Sequence, residues 1–376
     1  MSDFDRALKR LTAPEDLPNE KEWKEFYIED DFNAGNTLQG YLCRQSTRFY
    51  GALLITHVNN VFEPQLIFCT PKLHYPFDKN GNYHFPKARK IEVRDKLDGT
   101  NILAYTYTLG GQKFIAYKTR LTVVVRNTEH YPFRALLDEC IDYQAVQRLV
   151  EESGCNLSFE LYGAKNKHLI EYPEPISLAL LFGVDKEGKV FPSSHFKSWE
   201  GATAKLFPEV SGNYVETYNW HRQEDESSLK EVDNGYEGTE GRVWYMLTEG
   251  MKWVMFKCKP ESIEKIHWAH GGLGNNIIRA TAYNVLETED EITYKAVKEL
   301  LLEEFDESKI TFAKDRIHKV IAQINEEIRL REELLKEYDA LGISIHEDKG
   351  AVMRIFSKRY EKAKMRRIYS TIIAYR

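Results

Sequence analysis

The chain has 376 residues, which is too long for one ordinary hydrophobic core, so we expect two or three domains. Its content of 42% hydrophobic and 29% charged residues is typical of a soluble globular protein. No apolar run approaches the roughly 18 residues that a membrane span needs, and the opening residues, MSDFDRALKR, lack the pattern of a signal peptide. We therefore expect a cytoplasmic protein.

Charge is unevenly distributed along the chain. The net charge of -6 weighs against a nucleic-acid partner, because a phosphate-binding surface needs positive charge. Residues 87–126, however, contain nine Lys or Arg against three acidic residues, and residues 349–376 contain nine against one. Local basic surfaces can thus coexist with an acidic total. Such a basic tail, residues 349–376, is usually a solvated helix face; the alternative is a surface that binds RNA phosphates.

The five cysteines are odd in number and scattered, with no Cys-x-x-Cys pair. This pattern predicts reduced thiols and argues against a zinc site.

The patterns in chain order predict a β-rich beginning, a strand-rich middle and a helical end. The first 26 residues look helical and polar, and residues 37–69 read as short strands separated by polar turns. From about 85 to 260 further strands follow, with one helix over residues 133–154, where apolar residues recur every three to four positions and a glycine closes the run. Residues 276–341 have long helical spacing and no strand pattern.

These changes of character predict domain boundaries near 80 and 262. We expect a β-rich module over 1–80, a central domain over 81–262 and a helical region over 263–376. Within the central domain, LTVVVRN at 121–127 is one of the predicted strands. The fold class is α+β, with mostly antiparallel sheets.

Two of the predicted strands carry charged residues on one face. Alternate side chains of a strand share a face, so NLSFELYG places Glu160 opposite an apolar row. In KWVMFKCK, Lys257 and Lys259 share a face and would project side by side.

Lys96, in the stretch RDKLDGTN, is the candidate nucleophile. A surface lysine beside an Asp-Gly turn is the ordinary reading. At its usual pKa of about 10.4 a lysine is protonated and inert at neutral pH, and nearby cations or burial lower that pKa. Lys257 and Lys259 could supply such a field, while Glu160 and Glu240 are hard oxygen ligands of the kind that hold Mg²⁺ beside phosphates. These residue types favour phosphorus chemistry with a lysine nucleophile.

Six short motifs in order resemble those of the covalent nucleotidyltransferases, the family of ATP-dependent RNA and DNA ligases and mRNA capping enzymes. Each is weak alone, but their order is hard to obtain by chance. The motifs are Lys96-Leu97-Asp98-Gly99, Thr119-Arg120, Phe159-Glu160-Leu161-Tyr162-Gly163, Leu181-Phe182-Gly183-Val184, Glu240-Gly241-Arg242-Val243 and Lys257-Cys258-Lys259.

The resemblance covers residues 90–260 and implies a nucleotidyltransferase (adenylation) domain. It implies that Lys96 attacks the α-phosphate of ATP, that pyrophosphate leaves, and that AMP then passes from the lysine to a 5′-phosphorylated nucleic-acid end. A 3′-hydroxyl finally displaces AMP. Electrostatic stabilisation should dominate these steps.

The resemblance also implies residue roles. Lys257 and Lys259 would contact the α-phosphate, and Asp98 would orient Lys96 or its metal. Glu160 would contact the ribose and Glu240 the metal, with both as candidate Mg²⁺ ligands. The remaining ATP-binding candidates are Asp95, which would read the base through its carbonyl, Phe182, which would stack on adenine, and Asn101 and Arg120. For His168 and Tyr172 we consider two roles, a structural one and, as the alternative, contact with the nucleotide or the RNA end.

Within the family, RNA ligase is the favoured member. Gly99-Thr100-Asn101 resembles the continuation of the lysine motif in RNA ligases, and a helical region replaces the β-rich domain that normally follows in DNA ligases and capping enzymes. The layout is similar to the homodimeric RNA-circularising ligases of archaea, which implies dimerisation through the C-terminal helices. DNA ligase, mRNA capping guanylyltransferase and an RNA-binding protein with an inactive ligase fold remain the alternatives.

Overall fold

The computed structural model is a mixed helix and antiparallel-sheet protein, which confirms the predicted α+β class. It describes residues 1–11, 14–45, 47–78, 80–127, 132–166, 168–196, 212–232, 235–268, 273–286, 289, 291–302, 305 and 307–375.

The N-terminal part is an antiparallel four-stranded sheet with one short helix. Helix α1 (Asp3–Arg10) begins at Ser2, whose hydroxyl accepts a hydrogen bond from the Asp5 amide. The prediction of helix over the first 26 residues is wrong beyond α1, because β1 begins at Trp23, which is buried in the core. The strands are β1 (Trp23–Glu29), β2 (Thr37–Cys43), β3 (Leu53–Val58) and β4 (Val61–Ile67), and they pair in sequence order.

The central part contains a five-stranded antiparallel sheet, a three-stranded antiparallel sheet and a two-stranded hairpin. Its elements are β5 (Ala88–Asp95), β6 (Thr100–Leu109), β7 (Gln112–Lys118), α2 (Phe133–Cys140), α3 (Tyr143–Ser153), β8 (Asn156–Tyr162), β9 (Ser177–Val184), β10 (Val190–Pro192), α4 (Tyr214–Ser228), β11 (Lys230–Val232), β12 (Gly235–Glu237), β13 (Arg242–Thr248) and β14 (Trp253–Cys258). The strand orders are β10-β9-β8-β6-β7 and β14-β13-β5, and β11 pairs with β12.

Two predictions within this part are corrected. The single helix over 133–154 is two helices, because the side chain of Asp142 accepts a hydrogen bond from the Ala145 amide and so starts α3 as a new helix. Gly154 closes α3 at φ 67°, as predicted. The apolar run at 121–127 is not a strand; Val123 and Val124 are buried in the core, and the Val123 carbonyl accepts a hydrogen bond from the Tyr105 hydroxyl.

The remaining elements are helical. They are α5 (Glu261–Trp268), α6 (Asn275–Val285), α7 (Tyr294–Leu301), α8 (Glu307–Phe312), α9 (Lys314–Asp339), α10 (Lys349–Ser357) and α11 (Met365–Tyr375). None of the helices in the described ranges is both long enough and apolar enough to cross a membrane. The predicted boundaries near 80 and 262 stay predictions; β14 ends at Cys258 and α5 begins at Glu261.

The five-stranded sheet is covered on both faces by other parts of the chain. Alternate residues such as Ile102 and Phe159 pack with α2, α3 and the C-terminal helices α6, α7 and α9 in one core. On the opposite face Leu103 packs against the N-terminal sheet, and Phe182 packs against Tyr245 of the three-stranded sheet. A cleft therefore lies on this second face, where the three sheets meet.

Candidate active site

Lys96 lies where the chain crosses from the three-stranded sheet to the five-stranded sheet. Its amide donates a hydrogen bond to the Gly241 carbonyl (2.7 Å), which extends the pairing of β5 with β13 by one residue. Its side chain lines a cleft of about 320 Å³. The ordinary alternative for Lys96 was a surface lysine beside an Asp-Gly turn, whereas the structure places its side chain in a cleft.

The Glu240 carboxylate holds two ammonium groups. One carboxylate oxygen accepts a hydrogen bond from Lys96 Nζ and the other accepts one from Lys259 Nζ. Glu240 and Lys259 are almost completely buried. Gly241 permits this approach, because it has φ 132° and a Cβ there would lie 2.1 Å from the Cys258 carbonyl oxygen.

The charges of this cluster depend on one another. Burial alone would raise the pKa of Glu240, but Lys259 and Lys96 hold it at about 2. Burial lowers the pKa of Lys259, and Lys96 acts in the same direction against the opposing effect of Glu240. Burial also acts to lower the pKa of Lys96, but Glu240 and Glu160 outweigh it, so this pKa is raised.

The expectation of an uncharged Lys96 is therefore wrong for this state of the protein. Cations were expected to lower its pKa, but the structure places Glu240 between Lys96 and Lys259. The carboxylate screens one ammonium group from the other and stabilises the protonated form of Lys96.

Glu160 lies on the same face of the sheet, as the strand alternation of β8 predicted. Its carboxylate accepts a hydrogen bond from the Gly99 amide (3.1 Å) and lines the cleft. Burial raises the pKa of Glu160 to about 7, although the nearby Lys96 ammonium opposes the shift.

Asp98 contacts a loop instead of the Lys96 side chain. One of its carboxylate oxygens accepts hydrogen bonds from the amides of Leu169 (2.5 Å) and Ile170 (2.7 Å). Its own amide donates to the Tyr172 hydroxyl (2.8 Å). Because these bonds fix the backbone beside Lys96, Asp98 and Tyr172 orient the lysine through the chain. His168 lies next to Thr100 (3.3 Å), so its position also fits the structural reading.

Besides Arg120, three further predicted residues line the cleft between the sheets. The Asn101 amide group donates to the Ser158 hydroxyl (3.0 Å) and the Phe159 carbonyl (2.9 Å), while its buried oxygen has no hydrogen-bond partner among the described residues. Phe182 lies edge-on to Tyr245, with ring centroids 6.4 Å apart. Asp95 completes this group at the end of β5.

Lys257 and Lys259 have different surroundings. The Lys257 ammonium lies over the Tyr75 ring, 4.4 Å from its centroid, whereas Lys259 contacts Glu240. Helix α4 fixes this segment from behind, because the Tyr218 hydroxyl donates to the Lys257 carbonyl (2.8 Å) and Arg222 donates to the Lys259 carbonyl (3.1 Å). The structure thus brings Lys96, Glu160, Glu240 and Lys259 together, with Lys257 to one side.

Several cleft residues were not anticipated from the sequence. They come from the N-terminal part, from β5 and β13, and from α6, and they are Tyr50, Thr70, Arg94, Tyr245 and Asn284. Arg94 is two residues before Lys96 and faces Val243 across the sheet, so strand alternation could have placed it. Nothing local in the sequence marks the others, because packing between distant segments brings them to the cleft.

The donor set for a cation is small but chemically suitable. Among the described residues no group of three or more His, Cys, Asp or Glu is arranged to hold a metal ion. Glu160 and Glu240 offer hard oxygen donors to Mg²⁺, with phosphate oxygens of a bound nucleotide as the natural remaining ligands. Both Glu240 oxygens contact ammonium groups, so cation binding there requires one lysine to release its oxygen.

Comparison with known proteins gives distant structural relatives. No protein-family model and no curated protein matches the chain. An archaeal ATP-dependent RNA ligase aligns with a TM-score of 0.46 and 14% identity, covering 89% of this chain and 84% of that chain. The chain is similar to ATP-dependent ligases. A putative ATP-dependent DNA ligase from Aquifex aeolicus aligns with a TM-score of 0.44 and 14% identity, covering 95% of this chain and 88% of that chain. A Naegleria gruberi RNA ligase solved with ATP and Mn aligns with a TM-score of 0.32 and 14% identity, covering 65% of this chain and 84% of that chain.

We expect Glu240→Gln to destabilise the protein, because it leaves the buried Lys259 ammonium and the half-buried Lys96 ammonium without their carboxylate. The cost should be about 3 to 5 kcal/mol of unfolding free energy at pH 7, measured by urea denaturation. The folded-state pKa of Glu240 lies below its usual value, so its contribution is present above about pH 4.5 and is lost as the pH falls toward 2.

The difference between wild type and Glu240→Gln should accordingly shrink as the pH falls below about 4.5. Glu237→Gln, at an exposed position at the end of β12, is the control and should stay within about 0.5 kcal/mol of wild type. Equal stability of Glu240→Gln and wild type at pH 7 would contradict the structural role of the carboxylate.

Proposed function

We propose that this protein is an ATP-dependent RNA ligase that joins 5′-phosphate and 3′-hydroxyl RNA ends through lysyl-AMP and 5′-adenylated RNA. The observation that supports it most is the contact of Lys96 with Glu240, which also holds Lys259, at the wall of a cleft large enough for a nucleotide. A lysine nucleophile, a second cation and two carboxylates are what nucleotide transfer to an amine requires.

In the proposed first step the Lys96 amine attacks the α-phosphorus of ATP, a nitrogen–phosphorus bond forms, and pyrophosphate leaves. Lys96 must first release its proton to solvent and leave Glu240. Lys259 remains to neutralise charge that develops on the phosphate oxygens. Bound Mg²⁺, held by Glu160 and Glu240, would supply further neutralisation of phosphate charge.

In this proposal the base of ATP lies between the five-stranded and three-stranded sheets. Phe182 and Tyr245 offer aromatic faces and edges there, and the Asn101 oxygen offers an unused acceptor. Arg120, which also lines the cleft, offers donors to a ribose or phosphate oxygen.

In the second step a 5′-phosphate oxygen of the RNA attacks the phosphorus of lysyl-AMP, which releases Lys96 and forms a 5′-5′ pyrophosphate. In the third step a 3′-hydroxyl oxygen attacks the RNA 5′-phosphorus, and AMP leaves. The choice of RNA is supported by the sequence Gly99-Thr100-Asn101 and by the region after Cys258, which has only helices among its described residues. Circularisation of single-stranded RNA is the proposed form of joining.

Dimerisation through the helical region is part of the proposal. Phe312, at the end of α8, is 92% exposed, and Leu330 on α9 is 49% exposed. These are two of the exposed apolar side chains of the helical region that the proposed contact would cover.

We expect wild type to become covalently labelled by α-labelled ATP with Mg²⁺, and Lys96→Ala to take up no label. Lys259→Met should lower the labelling rate by at least about 100-fold, because a cation beside the α-phosphate is lost. Lys257→Met should lose less, since its ammonium lies over Tyr75. Undiminished labelling of Lys96→Ala would contradict the proposed nucleophile, and an unlabelled wild type would favour an inactive RNA-binding protein.

We expect single-stranded RNA with a 5′-phosphate to be joined in preference to a nicked DNA duplex. The assay compares linear RNA, nicked RNA duplex and nicked DNA at equal concentrations of 5′-phosphate ends, with 5′-hydroxyl RNA as the unreactive control. Preference for nicked DNA would support a DNA ligase instead. Labelling by GTP in preference to ATP would support a capping guanylyltransferase.

We expect wild type to be a homodimer by light scattering during gel filtration, and Phe312→Asp to shift it toward the monomer, because a buried charge at an apolar interface is costly. Lys309→Asp, on the same short helix, is a control for the charge change alone. A wild-type monomer at micromolar concentration would contradict this part of the proposal.

A further inference from the structure

A second cavity lies at the end of the five-stranded sheet opposite the turn that carries Lys96. Its volume is about 440 Å³, compared with about 320 Å³ for the cleft, and no residue of the described ranges lines both. Asn101, at the start of β6, lines the cleft, whereas Thr106 lines this cavity, roughly 17 Å further along the same strand. Small-molecule sites have volumes of about 300 to 1,000 Å³, so this distal cavity is large enough for a ligand.

Unequal strand lengths open the distal cavity. The pairing of β6 with β8 ends at Ala104 and Leu157, because β8 begins at Asn156. Beyond this point the Thr106 amide donates to the side-chain oxygen of Asn156 (3.0 Å). The strand β6 continues to Leu109 without a partner on this side among the described strands, and the cavity lies in the gap beside it.

Three aromatic rings and an arginine form one wall of the distal cavity. The Phe32 and Tyr117 ring centroids are 4.8 Å apart, and those of Tyr117 and Tyr143 are 5.2 Å apart. The Arg134 guanidinium lies over the Phe32 ring, 3.6 Å from its centroid. Phe32 and Tyr143 are half-buried, so part of each ring remains available to a ligand. An available aromatic face is the surface on which a nucleic-acid base stacks.

Two asparagine side chains offer hydrogen-bonding groups beside this wall. The Asn33 nitrogen donates to the Asp30 carboxylate (2.8 Å) and the Ile115 carbonyl (2.8 Å), while its side-chain oxygen has no partner among the described residues. The Asn156 oxygen accepts from the Thr106 amide, and its nitrogen forms no hydrogen bond with the described part of the chain. The cavity thus presents one acceptor and one donor, and the edge of a nucleobase carries groups of both kinds.

Cations surround the opening of the distal cavity. Lys113, at the start of β7, and Lys186, in the turn after β9, are exposed, and neither forms an ion pair within the described ranges. Arg134 uses Nε to donate to both Asp138 oxygens (2.9 and 3.1 Å), which leaves its two terminal nitrogens for a ligand. Glu151 is the one carboxylate among the residues that line the cavity. The opening therefore favours an anion.

We propose that the distal cavity binds one nucleotide unit, that is, a base with its phosphate. The base lies against Phe32 and Tyr143. The phosphate lies between Arg134, Lys113 and Lys186. The unit belongs either to a single-stranded RNA or to a free mononucleotide. The RNA source rests on the proposed function, whereas binding of a free mononucleotide does not depend on it.

Calorimetry with two probes, AMP and hexa-adenylate RNA with hydroxyl ends, tests this site and separates the sources. The double variant Lys113→Gln/Lys186→Gln removes two exposed cations, and Tyr143→Leu removes a stacking ring. Both should weaken binding of hexa-adenylate at least about tenfold if the unit belongs to RNA. For a free mononucleotide, both should remove one AMP site per chain. AMP is counted in sites because the proposed function places another AMP in the cleft.

Matched variants identify the cause of a loss. Tyr143→Phe keeps the ring, and Lys113→Arg/Lys186→Arg keeps the cations, so each should bind within about twofold of wild type. The double variant Lys24→Gln/Lys230→Gln removes two exposed strand lysines elsewhere and should also match wild type. Lys113 and Lys186 are exposed, so their replacement tests the site even if Tyr143→Leu does not fold.

The outcomes for the distal cavity and for the proposed function are distinguishable. Loss of either probe in the test variants, restored by the matched variants, supports the cavity even if ATP leaves no label on wild type, which would contradict only the proposed function. Affinities within about twofold of wild type for both probes, with the same number of AMP sites, would overturn the cavity even if Lys96 is labelled.

Discussion

The Glu240 carboxylate is the interaction on which the site depends. It separates two ammonium groups that would otherwise repel each other in a buried space, and it joins the turn after β5 to the end of β14. Such an arrangement is costly to assemble, because each charge gives up water, and it persists only with every partner present. The close approach at Gly241 is the backbone requirement that makes it possible.

In the proposed reaction this arrangement is the resting state of the cleft. While Glu240 accepts hydrogen bonds from both lysines, Lys96 is protonated and cannot act as a nucleophile. Any ligand that competes for the Glu240 oxygens weakens the hold on the Lys96 proton. Glu160, with a pKa raised to about 7 by burial, lies on the same wall and changes charge near neutral pH. In the proposed reaction, nucleotide binding and activation of the amine would be coupled through these carboxylates.

The resemblance of six ordered motifs to a known family implied that Lys96, Glu160, Glu240 and Lys259 share one site. Strand alternation, a local property of a sequence, predicted only which face of a strand each side chain occupies. The charge of Lys96 could not be obtained in this way, since it depends on which neighbour lies nearest in space. Local signals also misled where two of them competed, as at Asp142, where a helix cap interrupts an apolar period. Tyr50 and Thr70 reach the cleft from the N-terminal part, and no pattern within either segment shows this packing.

The charge state of Lys96 tests the account most directly. Lysine labelled with ¹³C at Cε reports the protonation of each amine by NMR, and comparison with Lys96→Arg assigns the signal. In the ligand-free protein we predict that the pKa of Lys96 lies above the usual lysine value. It falls in Glu240→Gln, because burial still lowers it and only Glu160 and Asp98 remain to raise it. A Lys96 pKa below the usual value in the wild-type protein, unchanged in Glu240→Gln, would contradict the account.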